Sequence, residues 1–231
     1  MERNLGYMKD KDYNEDLYLE GFEALNKKSL VIYAEDPEFY SCYITPKATF
    51  YPTGMSCGKI REHIKKSSNT HVVGIVDGDF NDDFEHKNLF KINFYSIENI
   101  ALCHHKSLVR LKNKVCEYVH ENFDKKFSLK ISFDGEEFNL SKDGNRIDRQ
   151  YDVYLSRKIK SVGDYIVYMN LKEIVLAYGK VKKLKFQKTL PTQIPKLDDI
   201  FTKNEFDRLI NKILEYEDLD IPGVPVVEFD I

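Results

Sequence analysis

The sequence lacks three features, and each absence excludes a class of protein. No run of about 18 apolar residues occurs among its 231 residues, and Met1 to Leu5 begin no apolar leader, so we expect a soluble cytoplasmic protein with no membrane span. The four cysteines form no CxxC pair, which argues for reduced thiols and against a disulfide framework or a zinc site. The net charge of −3 argues against a general polyanion binder, so any contact with nucleic acid must come from local patches.

The remaining composition is that of a folded protein of the α/β class. Apolar residues make up 42% and charged residues 32% of the chain, which is long enough for one large or two small domains with a core. Short apolar runs alternate with helical patterns through about residue 100, as in a parallel sheet flanked by helices. Further along, residues 127–140 alternate around Asp134-Gly135, which is a hairpin signal. We therefore predict an α/β catalytic core over residues 15–105 and a mixed α+β region over residues 106–231.

The stretch from His71 to Phe80 is the most informative part of the chain. Its valine- and isoleucine-rich run is short and ends at Asp77, which favours a buried strand of a parallel sheet over a helix. Asp77 and Asp79 are two residues apart, so their side chains leave an extended chain on the same face, and Gly78 lets the backbone turn between them. Two such carboxylates repel unless a proton or a cation lies between them. A hard divalent metal with oxygen ligands and an ordinary Asx-turn or helix cap both fit this stretch alone.

Acidic residues also follow two other apolar segments. Glu35 ends one apolar run, and Glu98 follows the strand predicted over Leu89–Phe94. Because the carboxyl ends of parallel strands lie on one edge of a sheet, we expect these side chains to meet Asp77 and Asp79 there. Three such placements favour a metal site. For Glu98, a position in the first turn of a helix is an equally good explanation, since the helix dipole favours an acid there.

The three acidic segments together resemble the TOPRIM domain of topoisomerases, primases and nucleases of the OLD class. The matching segments are Ile32-Tyr33-Ala34-Glu35, Gly74 to Phe80 with its DxD, and Tyr95-Ser96-Ile97-Glu98-Asn99. In that order they are similar to the short TOPRIM-like proteins that accompany an ABC-type ATPase in bacterial anti-phage defence, such as the effector nuclease subunit of the PARIS system. One segment departs from the family pattern, because Asp36-Pro37 stand where a glycine usually follows the glutamate.

The resemblance implies a metal-dependent nuclease and a role for each acid. Asp77 and Asp79 would bind Mg²⁺ or Mn²⁺, and Glu35 would be a ligand or the general acid and base beside the scissile phosphate. Glu98 would complete a second metal position, or it would contact a ligand of the first metal and so orient that ligand. The chemistry agrees, because phosphodiester cleavage needs charge neutralisation and an activated water, and carboxylates supply both through a metal. The substrate would be nucleic acid, either DNA or an RNA such as tRNA.

Lysines provide the candidate contacts with phosphate. Lys59 follows Gly58 at the start of a predicted helix, where free amides and the helix dipole attract phosphate, although the segment lacks the glycine spacing and the hydroxyl of a P-loop. A basic run in the second half of the chain is suited to follow a nucleic-acid backbone and contains Lys180, Lys182, Lys183 and Lys185. A solvated surface is the simpler explanation of both features.

The resemblance also implies partners and control. An ABC-type ATPase would hold the nuclease inactive, and the chain would act after release, as a homodimer. The region after about residue 125, with its hairpin and the proline-bearing tail Ile221–Ile231, has features suited to such contacts. Two other functions stay open. One is an inactive binding subunit of an ATPase complex. The other is a haloacid-dehalogenase-type phosphatase, although its further acids would have to be Asp198-Asp199, which lie in a proline-flanked connector.

Overall fold

The structure is a computed structural model that describes residues 30–44, 48–51, 54–67, 70–79, 85–122, 127–143, 149–184, 189–194 and 196–217. Three sequence features therefore lie outside the described residues: the start of the predicted catalytic core (15–29), Lys185, and the tail Ile221–Ile231. Within the described ranges, no helix is both long enough and apolar enough to cross a membrane.

Four strands between residues 30 and 91 form a parallel sheet. Its strands are β1 (Leu30–Ala34), β2 (Ala48–Phe50), β3 (Val72–Val76) and β4 (Leu89–Lys91), in the order β2-β1-β3-β4. Ile32 pairs with Phe50 on one side and with Val73 on the other, so β1 and β3 are neighbours inside the sheet. Both strands are buried at every position, as their continuous apolar runs predict. The predicted α/β class with a parallel sheet is confirmed, although β4 ends three residues earlier than the predicted strand.

Alternate residues of the inner strands face two separate apolar cores. The helices of this part of the chain are α1 (Pro37–Tyr40), α2 (Cys57–Lys66) and α3 (Ile97–His104). Val31 and Tyr33 pack against Ile60 of α2, which covers one face of the sheet. Ile32 points to the opposite face, where α1, α3 and the second half of the chain form a larger core. The alternation follows from the two-residue repeat of a strand.

The second half of the chain contributes helices and a hairpin. Its elements are α4 (Val109–Glu121), β5 (Leu129–Asp134), β6 (Glu137–Lys142), α5 (Arg149–Lys158), α6 (Val162–Tyr168), α7 (Lys172–Val181) and α8 (Lys203–Glu217). Strands β5 and β6 pair antiparallel with Asp134 opposite Glu137, which confirms the predicted hairpin. Short 3₁₀ turns lie at Lys106–Leu108, Leu190–Thr192 and Leu197–Ile200.

The apolar stretch from Tyr165 to Tyr178 forms parts of two helices. Helix α6 ends at Tyr168, and Met169 has an extended backbone and a fully buried side chain. The side-chain amide of Asn99 in α3 donates hydrogen bonds to the carbonyl oxygens of Ile166 (2.6 Å) and Met169 (2.8 Å), so it satisfies the end of α6. A side chain from another helix therefore stabilises a break that apolar periodicity does not indicate.

The two halves of the chain share the larger core. Its buried residues come from the sheet and α3 as well as from helices α4 to α8, for example Ile75, Ile100, Val115 and Leu155. The packing is continuous across residue 105, while the division of roles at that residue stays a prediction.

The segment that leads into α8 covers the β4 edge of the sheet. Ile92 and Phe201 form an antiparallel bridge, and Glu205 Oε2 accepts a hydrogen bond from the Lys91 N–H (3.2 Å). Thr202 Oγ1 caps the helix by accepting from the Glu205 N–H (3.3 Å). The Glu205 carboxylate thus satisfies one of the N–H groups that an edge strand leaves without a partner strand.

Replacing Gly74 in β3 by alanine should destabilise the protein. A Cβ at this position would lie 2.6 Å from Ile60 Cγ2 and 2.8 Å from Leu89 Cδ1, so these side chains would have to move. We expect a loss of about 1–3 kcal/mol in the free energy of unfolding, measured by urea denaturation. Gly58→Ala in α2 is the matched control: its added Cβ meets nothing within 4 Å, and the change should stabilise by about 0.5–1 kcal/mol. Equal effects of the two substitutions would contradict the close packing of α2 on β3.

Candidate active site

The carboxyl ends of β1 and β3 bring Glu35 and Asp77 into direct contact. The two strands are adjacent, and each of these residues immediately follows its strand. Glu35 Oε1 accepts a hydrogen bond of 3.1 Å from the Asp77 N–H, so the Glu35 carboxylate lies at the start of the segment from Asp77 to Asp79. The structure therefore brings together the first two acids that were expected to meet.

Burial raises the pKa of both carboxyl groups. Asp77 is only 6% exposed, and desolvation is the main reason that its pKa lies well above the usual value, followed by the negative charges of Glu35 and Asp36. The pKa of Glu35 is also raised, chiefly by burial, and the charge of Asp79 adds to the effect while the hydrogen bond from Asp77 opposes it. Negative charge that is compensated only in part favours the binding of a proton or a cation.

Gly78 allows three chain segments to meet behind these acids. Its N–H donates a hydrogen bond of 2.8 Å to Phe94 O, and a Cβ at this position would lie 2.2 Å from that oxygen and 2.5 Å from Ile92 O. Its own carbonyl oxygen accepts a hydrogen bond of 3.1 Å from the Tyr154 hydroxyl of α5. A side chain here would push the segment from Asp77 to Asp79 away from its neighbours, so glycine fixes the position of both aspartates.

Asp79 is held by helix α2. Arg61 Nη2 lies 3.0 Å from Asp79 Oδ1, and Cys57 Sγ, one helical turn before Arg61, lies 4.0 Å from the same oxygen. Burial raises the pKa of the Cys57 thiol to about 12, so the thiol is a neutral donor. Lys59 lies between these two residues in the chain, and two helical positions differ by about 200° in direction. It is accordingly exposed on a different face of α2.

Glu98 lies in the first turn of α3 and is buried, with 3% exposure. Its Oε1 lies 3.8 Å from Lys172 Nζ at the start of α7, and its Oε2 has no hydrogen-bond partner within the described part of the chain. The negative charge of Glu98 raises the pKa of Asp36 and of Asp77, so it belongs to the same group of acids. An acid that only favoured the helix dipole would not need to be buried with an unpaired oxygen.

Three further residues of this site were not among the sequence candidates. Burial raises the pKa of Asp36, which directly follows Glu35, and Glu98 raises it further. Tyr40 in α1 is fully buried next to the same acids, and its pKa is raised well above the usual value, mainly by burial. Lys172 is half-exposed, and the acids raise its pKa although burial opposes them. The position beside Glu35 was a visible signal for Asp36, whereas no local pattern indicated Lys172.

The predicted nucleic-acid-binding lysines that the structure describes lie at the far end of α7 from these acids. Lys172 begins α7, and Lys180 lies about 12 Å further along the helix axis. Lys180 and Lys183 are exposed, and Lys182 Nζ lies 3.4 Å from Glu136 O. Lys185 is outside the described residues. The structure thus separates this surface from the contact between Glu35 and Asp77.

The acids suit a hard divalent metal in chemistry but are held apart in the structure. Among the residues that the structure describes, no three His, Cys, Asp or Glu side chains are grouped closely enough to hold a metal ion. Two of these acids have partners in the structure: the Asp77 N–H donates to Glu35, and Arg61 forms an ion pair with Asp79. Carboxylates, including the buried unpaired oxygen of Glu98, are the ligands that Mg²⁺ and Mn²⁺ prefer. A shared metal would require Asp79 to turn from Arg61 towards Glu35 and Asp77.

Comparisons with known proteins do not assign this chain to a family. No protein-family model, curated protein or solved structure matches it. The candidate site is therefore supported by the residues and contacts described above.

Asp77→Asn should stabilise the metal-free protein at neutral pH. Because the pKa of Asp77 is raised in the folded state, the folded protein binds this proton more tightly than the unfolded chain does. The stability linked to the group is fully present below the ordinary aspartate pKa of 3.8 and is lost as the pH rises through the folded pKa. Between about pH 4 and 7, the free energy of unfolding of the variant should therefore increasingly exceed that of the wild type. The difference is about 1.4 kcal/mol for each tenfold difference in proton affinity between the folded and unfolded wild type.

Urea denaturation with chelator present, repeated across this pH range, measures the difference. Asp152→Asn, at an exposed position of α5, controls for the loss of an aspartate charge. A difference between Asp77→Asn and the wild type that does not change with pH would contradict the raised pKa of Asp77.

Proposed function

We propose that this protein is a metal-dependent nuclease of the TOPRIM type. The observation that carries the proposal is the contact between Glu35 and Asp77 at the ends of two adjacent parallel strands. Asp36, Asp79 and Glu98 act electrostatically on this pair, so five carboxylates belong to one group. Carboxylates gathered at one edge of the sheet support this function, because metal-assisted phosphodiester cleavage needs charge neutralisation and an activated water, which acids supply through a metal.

The balance of charge supports a cation at this site. Lys172 is the lysine whose charge lowers the pKa of Glu35, Asp36 and Asp77, and its side chain is 46% exposed. A half-exposed ammonium group does not neutralise several buried carboxylates. A divalent cation would relieve the repulsion that remains.

Each residue has a role in this proposal. Asp77 and Asp79 would hold Mg²⁺ or Mn²⁺, which when bound supplies charge neutralisation and an activated water. Glu35 joins them as a ligand or holds the proton beside the scissile phosphate. Glu98 orients Lys172 through their contact. Lys172 takes the place of Lys59 as the candidate contact with phosphate, because its charge reaches the acids.

The substrate in this proposal is nucleic acid, either DNA or an RNA such as tRNA, and activity is controlled by a partner. As the resemblance implies, an ABC-type ATPase keeps the nuclease inactive, and a released dimer acts. In the inactive state of this proposal, Asp79 forms its ion pair with Arg61 and does not bind a metal. A metal that binds to Asp79 would displace Arg61.

Asp77→Asn should abolish cleavage and leave the fold intact. The amide keeps the shape of the side chain but loses the charge that holds a metal. Purified wild type, Asp77→Asn and the control Asp152→Asn are incubated with tRNA and with plasmid DNA, in Mg²⁺, in Mn²⁺ and in chelator, each alone and with any ABC-type ATPase encoded beside the protein. We expect metal-dependent cleavage by the wild type and by Asp152→Asn, and a rate at least about 100-fold lower for Asp77→Asn.

Three results would contradict the proposal. These are cleavage in chelator, a wild-type rate for pure Asp77→Asn, and intact substrates under every condition with the wild type.

Arg61→Met should strengthen metal binding. The substitution removes the cation that engages Asp79, so this carboxylate becomes available beside Asp77. We expect Mn²⁺ to bind about tenfold more tightly, measured by titration calorimetry, which is equivalent to about 1.4 kcal/mol. Lys66→Met is the matched control, because it removes an exposed cation of the same helix, whose ion pair among the described residues is with Glu62. Equal affinities of Arg61→Met and Lys66→Met would show that Asp79 is not a ligand.

A further inference from the structure

A cleft of about 620 Å³ opens beside the segment from Asp77 to Asp79. It lies over the β4 edge of the sheet, between α5 and the start of α8. Gly78 and Arg61 contribute to its wall, and Arg61 also contacts Asp79. Tyr154 lines the cleft as well and donates its hydroxyl hydrogen bond to Gly78 O. The cleft is therefore a direct neighbour of the candidate active site.

Most of the charged side chains that line this cleft are cationic. Its cationic side chains are those of Arg61, Lys87, Lys91, Lys158 and Arg208, and its carboxylates are Glu85 and Glu205. Arg61 is paired with Asp79, and Arg208 with Glu205 at 2.5 Å. Lys87 and Lys158 are exposed, and neither forms an ion pair with a carboxylate of the described ranges. Within the part of the chain that the structure describes, these two ammonium groups are therefore available for an anion, although the net charge of the chain is −3.

The cleft also offers aromatic and amide groups. Lys158 Nζ lies 5.3 Å from the centroid of the Tyr168 ring, so the ring positions the ammonium group at the cleft wall. The Tyr168 hydroxyl donates to Asn93 Oδ1 (3.1 Å), which fixes both side chains. Asn204 is exposed at the start of α8. Ammonium groups next to an aromatic ring and amides are the elements that bind phosphate, base and base edge in single-stranded nucleic acid.

We propose that this cleft binds a single-stranded segment of the nucleic-acid substrate, with a phosphate near Lys87 and Lys158 and a base against Tyr168. The inference rests on the proposed nuclease function, because it assigns the substrate path to the cleft that adjoins Asp79. Its volume falls within the range of about 300–1,000 Å³ that holds one small organic ligand, so it accommodates roughly one nucleotide and not a duplex. The exposed lysines Lys180 and Lys183 do not line it.

The test is binding of labelled ten-nucleotide single strands of RNA and DNA to the full-length protein in chelator, followed by fluorescence anisotropy at several salt concentrations. Lys87→Glu combined with Lys158→Glu should weaken binding by at least about tenfold. It should also lower the slope of log affinity against log salt by about 1.4, because two phosphate contacts are lost. The matched control is Lys106→Glu combined with Lys196→Glu, which changes the charge equally at two exposed positions that do not line the cleft and should alter the affinity by less than about twofold.

A second pair of variants tests the aromatic contact. Tyr168→Leu should weaken binding by roughly tenfold, because the base loses its stacking partner and Lys158 loses the ring that positions it. Tyr168→Phe should keep the wild-type affinity, since it retains the ring. Duplexes of the same sequence should bind at least about tenfold more weakly than single strands.

Several outcomes would overturn the inference: no binding by the wild type, equal losses from the two double lysine variants, or wild-type affinity in the Lys87 and Lys158 variant. These outcomes are separate from failure of the nuclease proposal. A cleft that binds single strands as expected, in a protein that cleaves nothing with any metal, would leave this inference standing and overturn the nuclease.

Discussion

The rest of the structure depends on one constraint: several carboxylates are buried at the ends of β1 and β3, and neighbouring groups must compensate for their charge. Removing an ion from water costs several kcal/mol in a protein, and like charges in one place add to that cost. Neighbouring groups offset part of this cost. The Asp77 N–H contacts Glu35, Arg61 contacts Asp79, and Lys172 contacts Glu98. These compensating groups come from a strand end and from two separate helices. The remaining imbalance lowers the stability of the protein without a cation and favours the binding of one.

This constraint explains why the second half of the chain is part of the site. Asn99 in α3 closes the end of α6, and the break that it stabilises sets where α7 begins. The start of α7 then places Lys172 beside Glu98. From α5, Tyr154 supports the backbone between the two aspartates by donating to Gly78 O. A site formed only by the parallel sheet would have its acids but neither this lysine nor this support.

The fold also places groups of opposite charge next to each other. A chain of net charge −3 places an acidic group and a cationic cleft next to each other, joined at Gly78 and Arg61. An anionic strand is attracted to the cleft and repelled by the neighbouring carboxylates until a cation neutralises them. In the proposed nuclease, metal binding and correct placement of the substrate would therefore support each other. Arg61 takes part in both, since it contacts Asp79 and lines the cleft.

Elements with a local cause can be read from the amino-acid sequence alone. Continuous valine and isoleucine runs encode the buried strands of a parallel sheet, Asp134-Gly135 encodes the hairpin, and an acid directly after each of two parallel strands places Glu35 and Asp77 on one edge of the sheet. The contact between each cation and its acid depends on tertiary packing. Asn99 ends a helix 67 residues away, Lys172 approaches Glu98 from another helix, and Arg61 forms an ion pair with Asp79. The reason is physical: periodicity records how one segment buries its apolar face, whereas these contacts depend on how separate segments cross once they pack into a common core.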